Sequence, residues 1–252
     1  NVPIVGDLKR VLTELNALVE PVTHETWIEQ IREWQKEYPM VVPESTNGEL
    51  HAQYVLSELN KIANDDAIIV TDVGQHQMWV AQYYPYKNAR QLITSGGMGT
   101  MGFGIPAAIG AKLAQPNKNV IVFVGDGGFQ MTNQELALLN GYGIAIKVVL
   151  INNHSLGMVR QWQESFYEER RSQSVFDVEP NFQLLAEAYG IKHVKLDNPK
   201  TLADDLKIIT EDEPMLIEVL ISKSEHVLPM IPAGLHNDEM IGLHFTDKNE
   251  EV

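Results

Sequence analysis

The sequence contains no cysteine. That absence excludes disulfides, iron–sulfur clusters and thiolate zinc sites. It fits a reducing compartment, and the cytoplasm is the expected location. Basic residues are also scarce: 19 Lys and Arg stand against 34 Asp and Glu, a formal net charge of −15. Neutralising a phosphate backbone takes clustered Lys and Arg, so nucleic acid is not an expected partner. The same deficit argues against an anionic membrane surface. No uninterrupted apolar run reaches membrane-spanning length; the longest are of strand length. The opening residues, NVPIVGDLKR, lack the basic start and apolar stretch of a signal peptide. What is present is ordinary for a globular protein: 252 residues, 44% hydrophobic and 21% charged, enough for one large domain or two small ones.

Along the chain, residues 1–43 look like the end of something rather than a beginning. Val2–Val5 reads as a strand and Gly6–Asp7 as a turn and cap. Val11, Leu12, Leu15, Leu18 and Val19 then form a helical apolar stripe, and Thr26–Tyr38 a second helix with Trp27, Ile31 and Trp34 on one face. Pro39 and Pro43 bracket a linker. From about Ser45 apolar strands alternate with helices. Expected strands are Ala67–Val73, Gln91–Thr94, Val120–Val124, Ile144–Ile151, His193–Leu196 and Met215–Ile221. Expected helices include Gly48–Lys61, Gln77–Tyr83, Thr100–Ala114, Thr132–Leu139, Met158–Phe166, Asn181–Tyr189 and Thr201–Thr210. This alternation indicates an α/β fold: a doubly wound parallel sheet with helices on both faces, over residues 44–225. Residues 226–252 form a polar, proline-containing C-terminal arm without a strong fold signal, its charged end at Asp247–Val252 expected to fray.

In such a sheet ligands bind where the strands end and the following helices begin. Gly125-Asp126-Gly127-Gly128 follows one strand directly, and Asn152-Asn153 ends the next. Glycines admit an anion close to the backbone. Asp126 with the amide oxygen of Asn153 suits Mg²⁺ that completes its shell with phosphate oxygens and water. Each motif alone also reads as a turn or a helix cap, and Thr132 with Glu135 has the spacing of a capping box. Gly97-Met98-Gly99-Thr100-Met101-Gly102 matches G-x-G-x-x-G, which keeps a nicotinamide or flavin dinucleotide site as an alternative, although that reading leaves Asn152-Asn153 unused. No P-loop motif is present. His76, in Val73-Gly74-Gln75-His76-Gln77, could hold phosphate at a helix start or be an ordinary helix-end histidine. Met158, Trp162 and Phe166 are spaced as a core stripe would be, and Arg160 points elsewhere on that helix. Glu168–Arg171 reads as a solvated charge run.

Asp126 and Asn153 lie 27 positions apart, a spacing that resembles the thiamin diphosphate signature. The runs VGQHQMW (Val73–Trp79), ITSGGMGTMGFGIPAAIGAKLA (Ile93–Ala114), GDGGFQMT (Gly125–Thr132) and LGMVRQWQ (Leu156–Gln163) are similar to the catalytic large subunit of acetohydroxyacid synthase, also called acetolactate synthase. The resemblance extends from about Val2 to Gly234. It implies thiamin diphosphate and Mg²⁺ as cofactors, with Asp126, Asn153 and the Ser155 carbonyl on the metal. It places Gln75, His76, Gly125, Gly127 and Gly128 near the diphosphate. The Gly99 carbonyl would meet the cofactor's 4′-amino group, Met101 would wedge between its two rings, and Met158 and Trp162 would line the substrate pocket. The implied reaction condenses pyruvate with a second 2-oxo acid, with loss of CO₂, to 2-acetolactate or 2-aceto-2-hydroxybutyrate in branched-chain amino-acid biosynthesis. Other thiamin-dependent decarboxylases or carboligases, catabolic acetolactate synthase among them, are close alternatives, and a non-catalytic cofactor-binding fragment is a third. Gly128 departs from the serine or alanine common in the family. Residues 1–43 would be the tail of an FAD-binding domain, so FAD would bind mostly outside this chain. The family's activating glutamate lies in an N-terminal domain missing here, and a neighbouring subunit completes each site. A homo-oligomer and a regulatory small subunit are therefore expected partners, and this chain alone is expected to be inactive.

Overall fold

A computed structural model describes residues 2–43, 45 and 48–242. The chain divides into two units, one ending at Met40 and one spanning Val41–Gly242. The first holds helices α1 (Leu8–Leu18) and α2 (Glu25–Glu37). Asp7 caps α1, its carboxylate accepting the Arg10 N–H at 3.1 Å. On α2 the Trp27 and Trp34 rings meet edge to face, 5.5 Å apart. Neither helix buries a residue. Val2–Val5 forms no strand, contrary to expectation. An apolar run becomes a strand only when a neighbour takes its N–H and C=O groups, and among the described residues none does.

The second unit runs α3 (Ala52–Ile62), β1 (Ile68–Thr71), α4 (Gln75–Tyr83), β2 (Leu92–Thr94), α5 (Gly104–Ala114), β3 (Val120–Gly125), α6 (Asp126–Thr132), α7 (Leu136–Tyr142), β4 (Lys147–Asn152), α8 (Gly157–Phe166), α9 (Phe182–Ala188), β5 (Lys192–Leu196), α10 (Leu202–Asp205) and β6 (Met215–Leu220). The six strands form one sheet in the order β2-β1-β3-β4-β6-β5, parallel throughout. Side chains along a strand alternate between faces, and here both faces are covered. Ile69, Ile121, Phe123, Val149, Ile217 and Val219 pack into one core with α3, α4 and α10. Val70, Val122, Val124, Val148, Leu150 and Leu216 pack into the other with α5, α6, α7 and α9. This is the doubly wound α/β fold expected from the sequence. The chain leaves β1 in one direction, to β2, and returns to the other side as β3. That reversal opens a crevice at the C-terminal ends of β1 and β3.

Two expected helix starts and one expected cap need correction. The helix expected over Thr132–Leu139 starts earlier, at Asp126, and is interrupted by a 3₁₀ turn at Asn133–Glu135. Thr132 therefore lies within an already helical run. Its hydroxyl makes no cap and is buried without a partner, so the capping box does not form. The helix expected from Thr100 starts at Gly104, because Gly102 at φ +85° is left-handed and cannot sit in an α-helix. Residues 226–242 of the arm, which carries no strong fold signal in the sequence, belong to the second unit. Val227 and Met230 are buried, and Met230 pairs antiparallel with Ile241. Its order comes from side chains elsewhere, as the Gln161 amide both accepts the Val227 N–H and donates to the Val227 carbonyl, which no local periodicity announces. The fraying expected for Asp247–Val252 lies outside the described residues. Among the described residues no helix is long and apolar enough to cross a membrane.

Candidate active site

The crevice between β1 and β3 opens into a cleft of about 440 Å³ including its mouth. It is lined by the β1–α4 turn (Val73–His76), Trp79, Met101, Gly125–Gly128, Ile151, Asn153 and Ser155–Val159. Among the described residues Asp126 is the only carboxylate in that lining, and no Lys or Arg lines it.

Asp126 opens α6 immediately after β3 and is almost fully buried. One oxygen accepts the Gly127 N–H at 2.7 Å and the other the Ser155 N–H at 3.0 Å. Burial still wins over these hydrogen bonds and pushes its carboxyl up to about 7. A buried carboxylate with no cationic side chain in the lining is the kind of group a metal cation would satisfy.

Asn153 follows β4. Its amide nitrogen donates to Gln75 Oε1 at 2.9 Å, and its oxygen accepts the Ser155 hydroxyl at 3.0 Å. Asn152 plays a different part. Its oxygen accepts the His154 N–H at 3.0 Å, an Asx turn, and its nitrogen donates to Glu218 at 3.0 Å, so only Asn153 reaches the cleft.

His76 sits in the first turn of α4, behind Gly74 at φ +149°. It is buried in the cleft wall, and that burial lowers its pKa to about 4 against the opposing pull of Asp72. The imidazole is therefore neutral at pH 7, and its Nε2 is buried without a partner. Such an orphaned ring nitrogen calls for a ligand or water. The Trp79 indole nitrogen in the same lining is also unpartnered.

The glycines are tightly fitted. A Cβ at Gly157 would lie 2.0 Å from Gln75 Oε1, and one at Gly128 would lie 2.5 Å from Asp72 Oδ1. A Cβ at Gly127 would meet the Leu156 side chain at 2.4 Å and the Met101 methyl at 3.7 Å, which puts Met101 beside the Asp126 turn.

Of the residues singled out from the sequence, the fold brings Gln75, His76, Met101, Gly125, Asp126, Gly127, Gly128, Asn153, Ser155 and Met158 to one cleft. The Gln75 side chain is already committed through three hydrogen bonds, leaving its first-turn N–H for any anion. Gly99 is not in the lining. It stands at φ +69° in an exposed loop beside Val73. Trp162 lines an adjoining open groove with Met158, Val159, Gln163, Tyr167 and Arg170. Trp162 and Phe166 are 38% and 43% exposed, so they are not a core stripe, and they pack edge to face on each other at 5.7 Å. Arg160 is buried and clamps the Glu225 carbonyl at 2.7 Å, with Glu164 beside it. Within the charge run expected to be solvated, Arg171 pairs with Glu164 at 2.9 Å.

One residue that sequence reasoning missed is Asp72. It is buried at the end of β1 and accepts N–H groups from Val73 (2.8 Å), Gly102 (3.0 Å) and Gly104 (2.7 Å). It thus ties the glycine loop carrying Gly99 and Met101 to the sheet edge. The available signal was a single acid closing an apolar strand before a glycine turn. Among the described residues no group of three or more His, Asp or Glu could hold a metal, so a cation here would need backbone, amide and ligand oxygens.

Every lining residue of the cleft falls inside a segment that matches a known family. Residues 72–219 match the model of the thiamine pyrophosphate enzyme C-terminal TPP-binding domain. The chain is 79% identical over its whole length to an acetolactate synthase large subunit of Lactococcus lactis, covering 44% of that protein. It is 44% identical to an acetolactate synthase of Mycobacterium bovis and 43% identical to an acetolactate synthase large subunit of Porphyra purpurea, covering 95% and 96% of this chain and 41% and 42% of theirs. The chain thus spans less than half the length of the curated relatives it matches.

Proposed function

The chain belongs to the thiamine pyrophosphate enzymes, whose C-terminal TPP-binding domain it carries, and from that premise we propose that it is the thiamin diphosphate- and Mg²⁺-binding part of an acetolactate synthase. The parent protein would join pyruvate to a second 2-oxo acid with loss of CO₂. The observation that carries this reading is the meeting of a buried Asp126, the Asn153 amide and the orphaned His76 nitrogen in one cleft among close-fitting glycines.

The donor set fits the cofactor. Asp126, the Asn153 oxygen and the Ser155 carbonyl offer the hard oxygens Mg²⁺ prefers, leaving positions for phosphate and water. His76, the Gln75 N–H and the glycine turn at Gly125–Gly128 would receive the diphosphate. The loop held by Asp72 would present the Gly99 carbonyl and the Met101 side chain to the organic rings. When bound, thiamin diphosphate supplies the nucleophilic carbon and the electron sink for decarboxylation. The protein's part is to bind, bend and orient it in a cleft with few competing charges. Met158 and Trp162 would border the second 2-oxo acid.

Among the described residues the lining holds no carboxylate other than Asp126, and on the resemblance we assign the activating glutamate to another domain, in a homo-oligomer whose sites are shared between subunits. We assign residues 44–225 to the cofactor domain, 226–252 to an arm, and 1–43 to the tail of a preceding FAD-type domain; the division after Met40 is compatible with this. FAD and a regulatory small subunit are expected from the resemblance, and a cytoplasmic setting from the absence of cysteine. The acidic surface is compatible with a small anionic cofactor held by metal and backbone. Titration calorimetry tests the reading: this chain should bind thiamin diphosphate only with Mg²⁺, and the full-length parent should form acetolactate from pyruvate while the chain alone forms none. Binding of NAD in place of thiamin diphosphate would overturn it in favour of a dinucleotide site.

A further inference from the structure

The side chains behind Asn153 form a hydrogen-bonded line whose polarity is fixed by backbone groups. The carbonyls of Glu225 and Val227 can only accept, and the Val227 N–H can only donate. Gln75 places its nitrogen 3.0 Å from the Glu225 carbonyl and 2.8 Å from Gln161 Oε1. Gln161 accepts the Val227 N–H at 2.8 Å with that same oxygen and donates to the Val227 carbonyl at 3.1 Å. Both glutamine amides are therefore held in one orientation. The oxygen of Gln75 must face Asn153, and it accepts the Asn153 Nδ2 at 2.9 Å. Asn153 is left with one outcome: its nitrogen points to Gln75 and its oxygen to Ser155, the residue whose N–H donates to Asp126. All three amides are buried, so water cannot substitute for a lost partner, and a flip of any one would set donor against donor or acceptor against acceptor.

We infer that Gln75 and Gln161 are positioning residues that transmit the polarity of the Glu225–Val227 backbone to Asn153, so that the C-terminal segment presets the amide oxygen for a divalent cation. The inference rests on the proposed cation site and deepens it. Gly157 belongs to the same device: a Cβ there would lie 2.0 Å from Gln75 Oε1 and 2.7 Å from the Asn153 nitrogen, breaking the line at its junction. Groups that orient a metal ligand in this way are worth about 10- to 100-fold in metal affinity.

The test measures free Mn²⁺ by electron paramagnetic resonance in the full-length parent at saturating thiamin diphosphate. Gln75→Met keeps the side-chain length but removes every hydrogen bond, and should weaken the cation about 10- to 100-fold. Raising Mg²⁺ should return thiamin diphosphate affinity to the parent value, which a merely structural defect would not allow. Gln161→Met leaves the Glu225 contact to Gln75 in place and should weaken the cation less. If Gln75→Met fails to fold, Gln161→Met decides. Cation constants within twofold of the parent in the folded variants would overturn the inference. A parent that binds cofactor without any cation would instead overturn the reading of the site itself.

Discussion

Asp72→Asn is the most informative single change to the scaffold of the cleft. In the folded protein both Asp72 oxygens are used: one accepts the Gly102 N–H at 3.0 Å and the other the Gly104 N–H at 2.7 Å. An asparagine can accept with one atom only, so its NH₂ must face one of these N–H donors. The site is 1% exposed, and solvent cannot relieve the conflict. Losing one charge-assisted hydrogen bond and stranding a buried donor costs about 2–4 kcal/mol. For a protein of this size that lowers the melting temperature by roughly 5–15 °C. The damage should be local before it is global. Hydrogen exchange at the Gly102 and Gly104 amides should accelerate most, while amides of β3 and β4 stay protected. Because the freed loop carries Met101 and Gly99, thiamin diphosphate affinity should fall in the same variant. Unchanged protection at both glycines, or a melting temperature equal to the parent's, would refute the reasoning.

Three further outcomes follow from the same geometry. His76 is neutral in the fold with a pKa of about 4, against about 6.5 in the unfolded chain. The unfolded state therefore binds the extra proton between these values. The stability that His76 contributes is full above pH 6.5 and falls as pH drops toward 4, by up to about 3 kcal/mol, while Asp126, raised to about 7, contributes the opposite slope over the same range; urea titrations at pH 7 and pH 5 should therefore show the parent losing about 2 kcal/mol relative to His76→Gln on acidification, and equal pH dependence in the two would refute the assignment. Gly157→Ala should cost about 1–3 kcal/mol by overpacking against Gln75 and also weaken Mg²⁺, whereas denaturation and calorimetry equal to the parent's would show that the junction can open freely. Trp162→Leu should change stability by less than about 1 kcal/mol because the ring is 38% exposed, yet shift the ratio of 2-aceto-2-hydroxybutyrate to 2-acetolactate in the full-length parent; an unchanged ratio would remove Trp162 from the substrate pocket.

The sheet was legible because buried parallel strands carry their signal in every residue, and Ile68–Thr71, Val120–Gly125 and Met215–Leu220 fall close to the expected runs. The cleft was legible because strand ends in such a sheet share one edge, which joins Asp126 to Asn153 without knowledge of distances. What stayed hidden depends on partners remote in sequence. Asp72 looks like any acid before a turn until Gly102 and Gly104 arrive on it. The Gln161 amide looks like solvent-facing helix surface until Val227 closes over it, and the arm carries no strong fold signal for the same reason. Thr132 and Glu135 had the spacing of a cap, but the helix had already begun at Asp126. Val2–Val5 had the composition of a strand without a neighbour to pair with.

The central claim is that Asp126 and Asn153 together hold the cation that anchors thiamin diphosphate. A crystal structure of the chain grown with thiamin diphosphate and Mn²⁺, read by anomalous scattering, tests it directly. The account predicts one manganese peak about 2.1 Å from an Asp126 carboxylate oxygen and from Asn153 Oδ1, the spacing of octahedral oxygen ligation. A peak elsewhere, or cofactor bound with Asn153 turned nitrogen-first toward the metal, would contradict it.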